Sequence, residues 1–217
     1  RRTTSTMRID SLGQKPDRAG RVYLKCSDGS VLRVYPQVVQ DFGLYPGIEL
    51  TEGEWGKLLA AAGSVSAKMR AVRIVSASAV SRKNLEQRLR QKGETPEHAQ
   101  EAVEWMAGLN LLDDRETARQ IVARGAARGY GKARIRQMLY EKGIPRDLWE
   151  DALENLEDPD EAILQYLHRY LPRDPDPKQK KKVIDALVRR GHGWQDIQRC
   201  LRQYGQDFEE FPEDLDG

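Results

Sequence analysis

"RGYGKARIRQMLYEKGI", residues Arg128–Ile144, is the stretch whose pattern decides the fold. Ile135 and Leu139 stand four apart and so share one face of a helix. Lys142-Gly143 then marks its end: a cation in the last turn opposes the negative pole of the helix, and glycine takes the left-handed conformation after it without steric cost. The same punctuation occurs at Lys92-Gly93 and Arg190-Gly191. Four residues before these glycines lie Leu89 and Leu187, and eight before them lie Leu85 and Val183. Six residues after the three glycines come Ala99, Trp149 and Ile197, and ten after them Val103, Leu153 and Leu201. Coincidence at so many positions is an internal repeat.

Working outward, Thr95-Pro96 and Asp176-Pro177 place a cap residue before a proline at the first helical position, and Pro145 is read in the same way. Asp113 and Asp158 are read as caps whose reciprocal partners are Glu116 and Glu161. These signals predict nine helices, over 65–79, 82–92, 96–109, 114–127, 132–142, 145–155, 159–171, 177–190 and 194–204. They group as three tandem three-helix repeats, 57–112, 113–157 and 158–205. Each repeat is too small for much core of its own, so the expected fold is mostly α, an elongated array of stacked repeats. Residues 7–56 are expected to form a small β-rich region ahead of it. There Arg21–Cys26 and Ser30–Tyr35 alternate around the turn Ser27-Asp28-Gly29, Ile9 and Leu12 suggest a third strand, and Pro36–Phe42 a helical turn ended by Gly43. A sheet this small needs a neighbour to cover its apolar face, which the following helices are expected to supply. Residues 1–6 are read as a flexible leader and 206–217 as a disordered acidic tail.

The composition fits such an array. Of the 217 residues 39% are hydrophobic and 32% charged, so much of each helix must face water. No apolar run approaches the roughly 20 residues that span a bilayer, and the two cysteines, Cys26 and Cys200, are no disulfide framework. The expectation is a cytoplasmic protein with no membrane partner. Enzyme chemistry is not indicated either. Helix capping accounts for Asp113-Asp114 and for Asp158, Asp160 and Glu161, while His98, His168 and His192 lack metal-ligand spacing. Hence no catalytic residue, metal or cofactor is expected.

A formal net charge of +2 hides a segregation of charge. Between Arg119 and Arg146 the cations Arg119, Arg124, Arg128, Lys132, Arg134, Arg136, Lys142 and Arg146 face a single acid, Glu141, whereas Asp207, Glu209, Glu210, Glu213, Asp214 and Asp216 crowd the C-terminal stretch. Such asymmetry points to a polyanionic or acidic partner for the middle of the chain. These eight cations and Tyr130 are the candidate partner-binding residues. Guanidinium groups pair bidentately with carboxylate or phosphate, although a merely solvated helical face is the competing reading. Tyr130, between Gly129 and Gly131, either presents its ring to a partner or packs into the joint between repeats. Trp105, Leu111, Trp149 and Trp194 are expected to pack between repeats. The acidic tail either solubilises the protein or folds back on the basic face.

The segments themselves resemble a known family. "SRKNLEQRL" (Ser81–Leu89), "LNLLDDRETA" (Leu109–Ala118), "RGYGKARIRQMLYEKGI" and "VIDALVRRGHGWQDIQRCL" (Val183–Leu201) are similar to the motifs of RecX proteins. The resemblance covers about 65–205, and the N-terminal region looks like the extension that longer members carry. Lys132 stands where that family usually has proline, Asn110-Leu111 where it has Gly-Tyr, and Thr117 where it has an aromatic. The resemblance implies a monomeric RecA modulator, which lies on the RecA–DNA filament, inhibits its recombinase, ATPase and coprotease activities, touches single- or double-stranded DNA as an auxiliary partner and needs no cofactor. A helix-turn-helix-like protein acting on DNA without RecA, and an all-helical scaffold, are the other readings.

Overall fold

The computed structural model describes residues 6–205. The first five residues of the expected leader and the whole acidic tail therefore lie outside the described residues; Thr6, assigned to the leader, is the first residue of a strand. The chain divides into two compact units, Arg1–Leu112 and Asp113–Gly217.

In the first unit, strands β1 (Thr6–Leu12), β2 (Val22–Cys26), β3 (Val31–Val34) and β4 (Glu49–Thr51) form one antiparallel sheet in the order β3-β2-β1-β4. β2 and β3 follow the expected alternation, and β1 is the third strand suggested by Ile9 and Leu12. β4 was not legible, because three residues are too few to show a period. A register shift between Ile9 and Ser11 lets β1 pair with β2 along one half and β4 along the other. Helix α1 (Pro36–Asp41) is the expected helical turn. Helix α2 runs from Glu52 to Ala77, thirteen residues ahead of the expected start at 65. Its beginning is fixed by a capping box: the Thr51 amide donates to Glu54 Oε2 at 2.8 Å, and the Glu54 amide donates back to Thr51 Oγ1 at 3.3 Å. The stretch following this box is rich in glycine and alanine, and therefore carries little of the apolar contrast that betrays a helix.

Two cores meet along α2. Its first half gives Leu58 and Ala62 to the sheet, against Ile9, Leu24, Val34 and Leu50. Its second half gives Ala67, Ala71 and Ile74 to a helical core with Leu85 and Leu89 of α3 (Arg82–Gln91) and Ala99, Val103 and Met106 of α4 (Pro96–Gly108). The sheet is thus covered by α2, with Val38 of α1 beside it, and α2 also opens the first repeat.

The second unit holds two clusters. Ala118 and Ile121 of α5 (Asp114–Ala127), Ile135 and Leu139 of α6 (Lys132–Glu141) and Ala152 and Leu153 of α7 (Trp149–Leu153) form one. Ile163 and Leu167 of α8 (Pro159–Tyr170), Ile184 and Leu187 of α9 (Pro177–Arg189) and Ile197 and Leu201 of α10 (Trp194–Gln203) form the other. Pro145 opens a single 3-10 turn, Arg146–Leu148, rather than the first turn of a long α-helix.

The repeat is visible bond by bond. At the ends of α3, α6 and α9, Gly93, Gly143 and Gly191 have φ of +95°, +69° and +88°. The amide after each glycine donates to the carbonyl of the buried leucine, Glu94 to Leu89 (3.1 Å), Ile144 to Leu139 (3.0 Å) and His192 to Leu187 (3.2 Å). That is one C-terminal motif made three times. Asn110, with φ +56°, makes the same ending after α4, and the Leu111 amide donates to Met106 at 3.0 Å. Asparagine tolerates the left-handed region better than other side chains. The reciprocal boxes expected at Asp113 and Asp158 are absent: both aspartates cap their helices, but Glu116 and Glu161 turn instead to Gln120 and Gln165, one turn along.

Candidate partner-binding site

All nine candidate residues lie in the second unit, and the structure brings six of them into two groups, with Arg124, Lys142 and Arg146 in neither. The first is zipped into the acidic start of α7. Glu150 faces both Lys132, at 3.8 Å, and Arg136, while Asp151 faces Arg115, at 3.2 Å, and Arg119, at 3.7 Å. These carboxylates lie just past the window in which the sequence showed one acid, so the charge of this face is partly cancelled. The pairs are exposed, and pairs of that kind contribute about 0–1 kcal/mol each; their effect is on the local potential rather than on stability. Lys132 and Arg136 do share a face, as their spacing of four requires, and it is turned to Glu150.

The second group surrounds the joint between α6 and α9. Helix α6 begins at Gly131, which has no side chain to cap it. Its first amides are satisfied from the next repeat: Gly131 N–H donates to the Arg190 carbonyl at 2.8 Å and Ala133 N–H to the Gly191 carbonyl at 3.2 Å. The free carbonyls at the end of α9 thereby meet the free amides at the start of α6, and the two helix dipoles join head to tail. The approach is so close that a Cβ at Gly131 would collide with the Gly191 peptide group, and one at Gly191 with the backbone of Arg134. Two side chains of the third repeat fasten the joint. Arg190 donates to the Arg128 carbonyl, and its guanidinium lies 5.1 Å from the centre of the Tyr130 ring and 5.2 Å from that of Tyr166. His192 Nε2 lies 2.9 Å from the Gly129 carbonyl oxygen.

His192 is 6% exposed, and its Nδ1 has no partner. Burial first, and the nearby Arg190 charge in addition, pull its pKa below the ordinary imidazole value; Asp196 and the Gly129 carbonyl oppose them. The neutral ring with its proton on Nε2 fits these contacts.

Arg124 in the last turn of α5 and Arg128 at its C-cap are exposed and carry no ion pair among the described residues. Arg134 lies 3.4 Å from Glu141 and 6.0 Å from the Tyr130 ring. Tyr130 is half-buried, beneath Arg190 and against the core of its own repeat. Lys142 follows the last turn of α6, and the guanidinium of Arg146 lies 5.8 Å from the Trp149 ring centre. Trp149 and Trp194 each pack against the core of their own repeat, and Trp149 Nε1 donates to the Ile144 carbonyl at 2.9 Å. Trp105 and Leu111 are exposed at 37% and 54%.

In sequence Arg190 is a helix-ending cation, and nothing in its own segment signals that it also faces the second repeat. Lys178, Lys181 and Lys182 on α9 lie beyond the basic stretch of the sequence; they are exposed and have no ion pair among the described residues. No cluster of His, Cys, Asp and Glu there is arranged to hold a metal ion, and no helix among them is long and apolar enough to cross a membrane.

Comparison with known proteins places this geometry in a family. Residues 113–153, the repeat that carries the candidate residues, match the model described as "RecX, second three-helix domain". The chain is 33% identical to the regulatory protein RecX of Chlorobaculum tepidum over 140 residues, 63% of this chain and 87% of the relative. It is 28% identical to that of Clostridioides difficile over 210 residues, covering 94% of this chain and 98% of the relative, N-terminal region included. In fold it is similar to a crystal structure of regulatory protein RecX, with a TM-score of 0.63 at 20% identity over 90% of this chain and 99% of the other. A RecX structure from Lactobacillus salivarius gives 0.59 at 21% identity over 67% of this chain and 98% of the other.

Proposed function

The chain belongs to the RecX family of regulatory proteins, and on that premise we propose that it binds the RecA filament on DNA and inhibits RecA's recombinase, ATPase and coprotease activities. It acts by binding, without catalysis or cofactor, as a cytoplasmic monomer. The observation that carries the reading is the match of the family's second three-helix domain to 113–153, the segment with Arg124 and Arg128, which have no ion pair among the described residues. Guanidinium groups there meet phosphate or the carboxylates of a protein partner with equal geometric ease. Auxiliary contact with single- or double-stranded DNA follows from the same charge.

The test is RecA's single-strand-dependent ATP hydrolysis, measured against increasing amounts of this protein. Inhibition well below one copy per RecA is the expected result. Reversal of charge in Arg124→Glu with Arg128→Glu should blunt it with helicity intact, and more strongly than Arg134→Glu with Arg136→Glu, whose side chains already have acidic partners. Salt-sensitive binding to DNA with no effect on RecA would replace the proposal with direct action on DNA.

A further inference from the structure

The outer face of the N-terminal sheet takes no part in the core, in the repeats or in the reading above. Its residues follow from the pleat. In β2, Val22, Leu24 and Cys26 turn inward and are buried, so Tyr23 and Lys25 turn outward and are exposed. The register places Arg33 of β3 directly opposite Tyr23, and Val31 opposite Lys25, on the same face. Val31 is 58% exposed and Tyr23 52% exposed. On the other flank of Tyr23 stands Gly13, whose amide donates to the Tyr23 carbonyl at 2.8 Å. A Cβ there would lie 2.9 Å from two carbons of the Tyr23 ring. The ring therefore leans over a position that holds no side chain, with about half of its surface left to solvent.

Cations outnumber carboxylates on this face, where Glu49 of β4 stands opposite Arg8. Asp17 is already bound to Arg21, at 2.9 Å, and lies 3.9 Å from Arg33; Asp10 is bound to Arg8; Asp28 accepts from the Ser30 hydroxyl and amide within the hairpin turn. Lys15 and Arg18, in the loop that joins β1 to β2, and Lys25 are exposed with no carboxylate partner among the described residues. An open aromatic ring on a sheet, flanked by unpaired cations, is the arrangement that takes the π-face of a base while neighbouring charges track the backbone. A duplex hides its base faces in the stack and has no use for the ring. An acidic polypeptide would use the cations but not the tyrosine.

We propose that the outer face of this sheet is a binding site for single-stranded nucleic acid, with a base stacked on Tyr23 and phosphates held by Lys25, Arg33 and the Lys15–Arg18 loop. The site is separate from the helical repeats and does not rest on the RecA reading, since it is tested without RecA.

The experiment uses the full chain and a fluorescein-labelled dT20 oligonucleotide, with affinity followed by anisotropy over a range of salt. Tyr23→Leu, which keeps an apolar cover over Gly13 but removes the aromatic face, should weaken dT20 binding about five-fold or more. Tyr23→Phe should restore it, and a 20-base-pair duplex should bind both forms alike. Lys25→Ala should lower the slope of log affinity against log salt by about 0.7. Irradiation of the unaltered protein with a bromodeoxyuridine-substituted strand should crosslink the peptide that contains Tyr23. Crosslinks confined to 113–205, or equal dT20 affinity in Tyr23→Leu, would overturn the site. A charge-matched polyglutamate that binds and loses affinity equally in Tyr23→Leu would assign the face to acidic polypeptides and overturn it too.

Discussion

At the scale of single residues, the informative groups are those whose chemistry the fold has altered. His192 is held neutral against the Gly129 carbonyl, and its pKa is lowered by burial. The unfolded chain then binds the proton more readily than the folded one, with an ordinary imidazole pKa of about 6.5. Its contribution is complete above that pH and is lost as pH falls through the lowered folded value. We expect the melting temperature to drop as the pH is taken from 7.5 to below 6, and the drop to shrink in His192→Gln, which keeps a donor for Gly129 but does not titrate in this range. An equal drop in that variant would place the acid sensitivity elsewhere. Cys200 makes the complementary point. Burial first, then a hydrogen bond to the Asp160 side chain and its charge, push the Cys200 thiol up to about 12, so almost no thiolate exists at neutral pH. Thiol-reactive reagents at pH 8 should leave it unmodified until denaturant is added.

Among the helices and turns, the cost of a change depends on what stands beside it. Gly131→Ala drives a methyl into the Gly191 peptide group and should cost about 1–3 kcal/mol in chemical denaturation. Gly56, in the interior of α2, has nothing within 4 Å of a Cβ, and Gly56→Ala should stabilise by about 0.4–1 kcal/mol. The contrast also explains what the sequence could reveal. Helix endings at Gly93, Gly143 and Gly191 are written locally, in one residue's backbone freedom, and so were legible. The start of α2 was written locally too, in Thr51 and Glu54, but the small residues after it gave no periodic stripe to confirm it. The joint of α6 and α9 is of another kind: it brings together residues 60 positions apart (Gly131 and Gly191), through main-chain groups that every sequence possesses. The partial neutralisation of Lys132 and Arg136 by Glu150 was likewise hidden, because it needs the angle between α6 and α7.

At the scale of the whole molecule, the chain parts between Leu112 and Asp113. The second unit contains two complete clusters and every capping partner of its helices that has been described above. Residues 113–217 produced alone should therefore be helical and unfold cooperatively; a non-cooperative circular dichroism melt would show that this unit needs the first. Within the first unit the two cores share α2, so the sheet and the first repeat should lose amide protection together in hydrogen exchange.

The seam at Gly131 and Gly191 has a consequence for how such a chain tolerates change. The hydrogen bonds there join peptide amides and carbonyls, which every residue but proline supplies, so beyond the fastenings of Arg190 and His192 the seam asks of the sequence that two positions stay without side chains. Surface residues on either side are free to drift toward new partners while the seating of one repeat upon the next stays as it is.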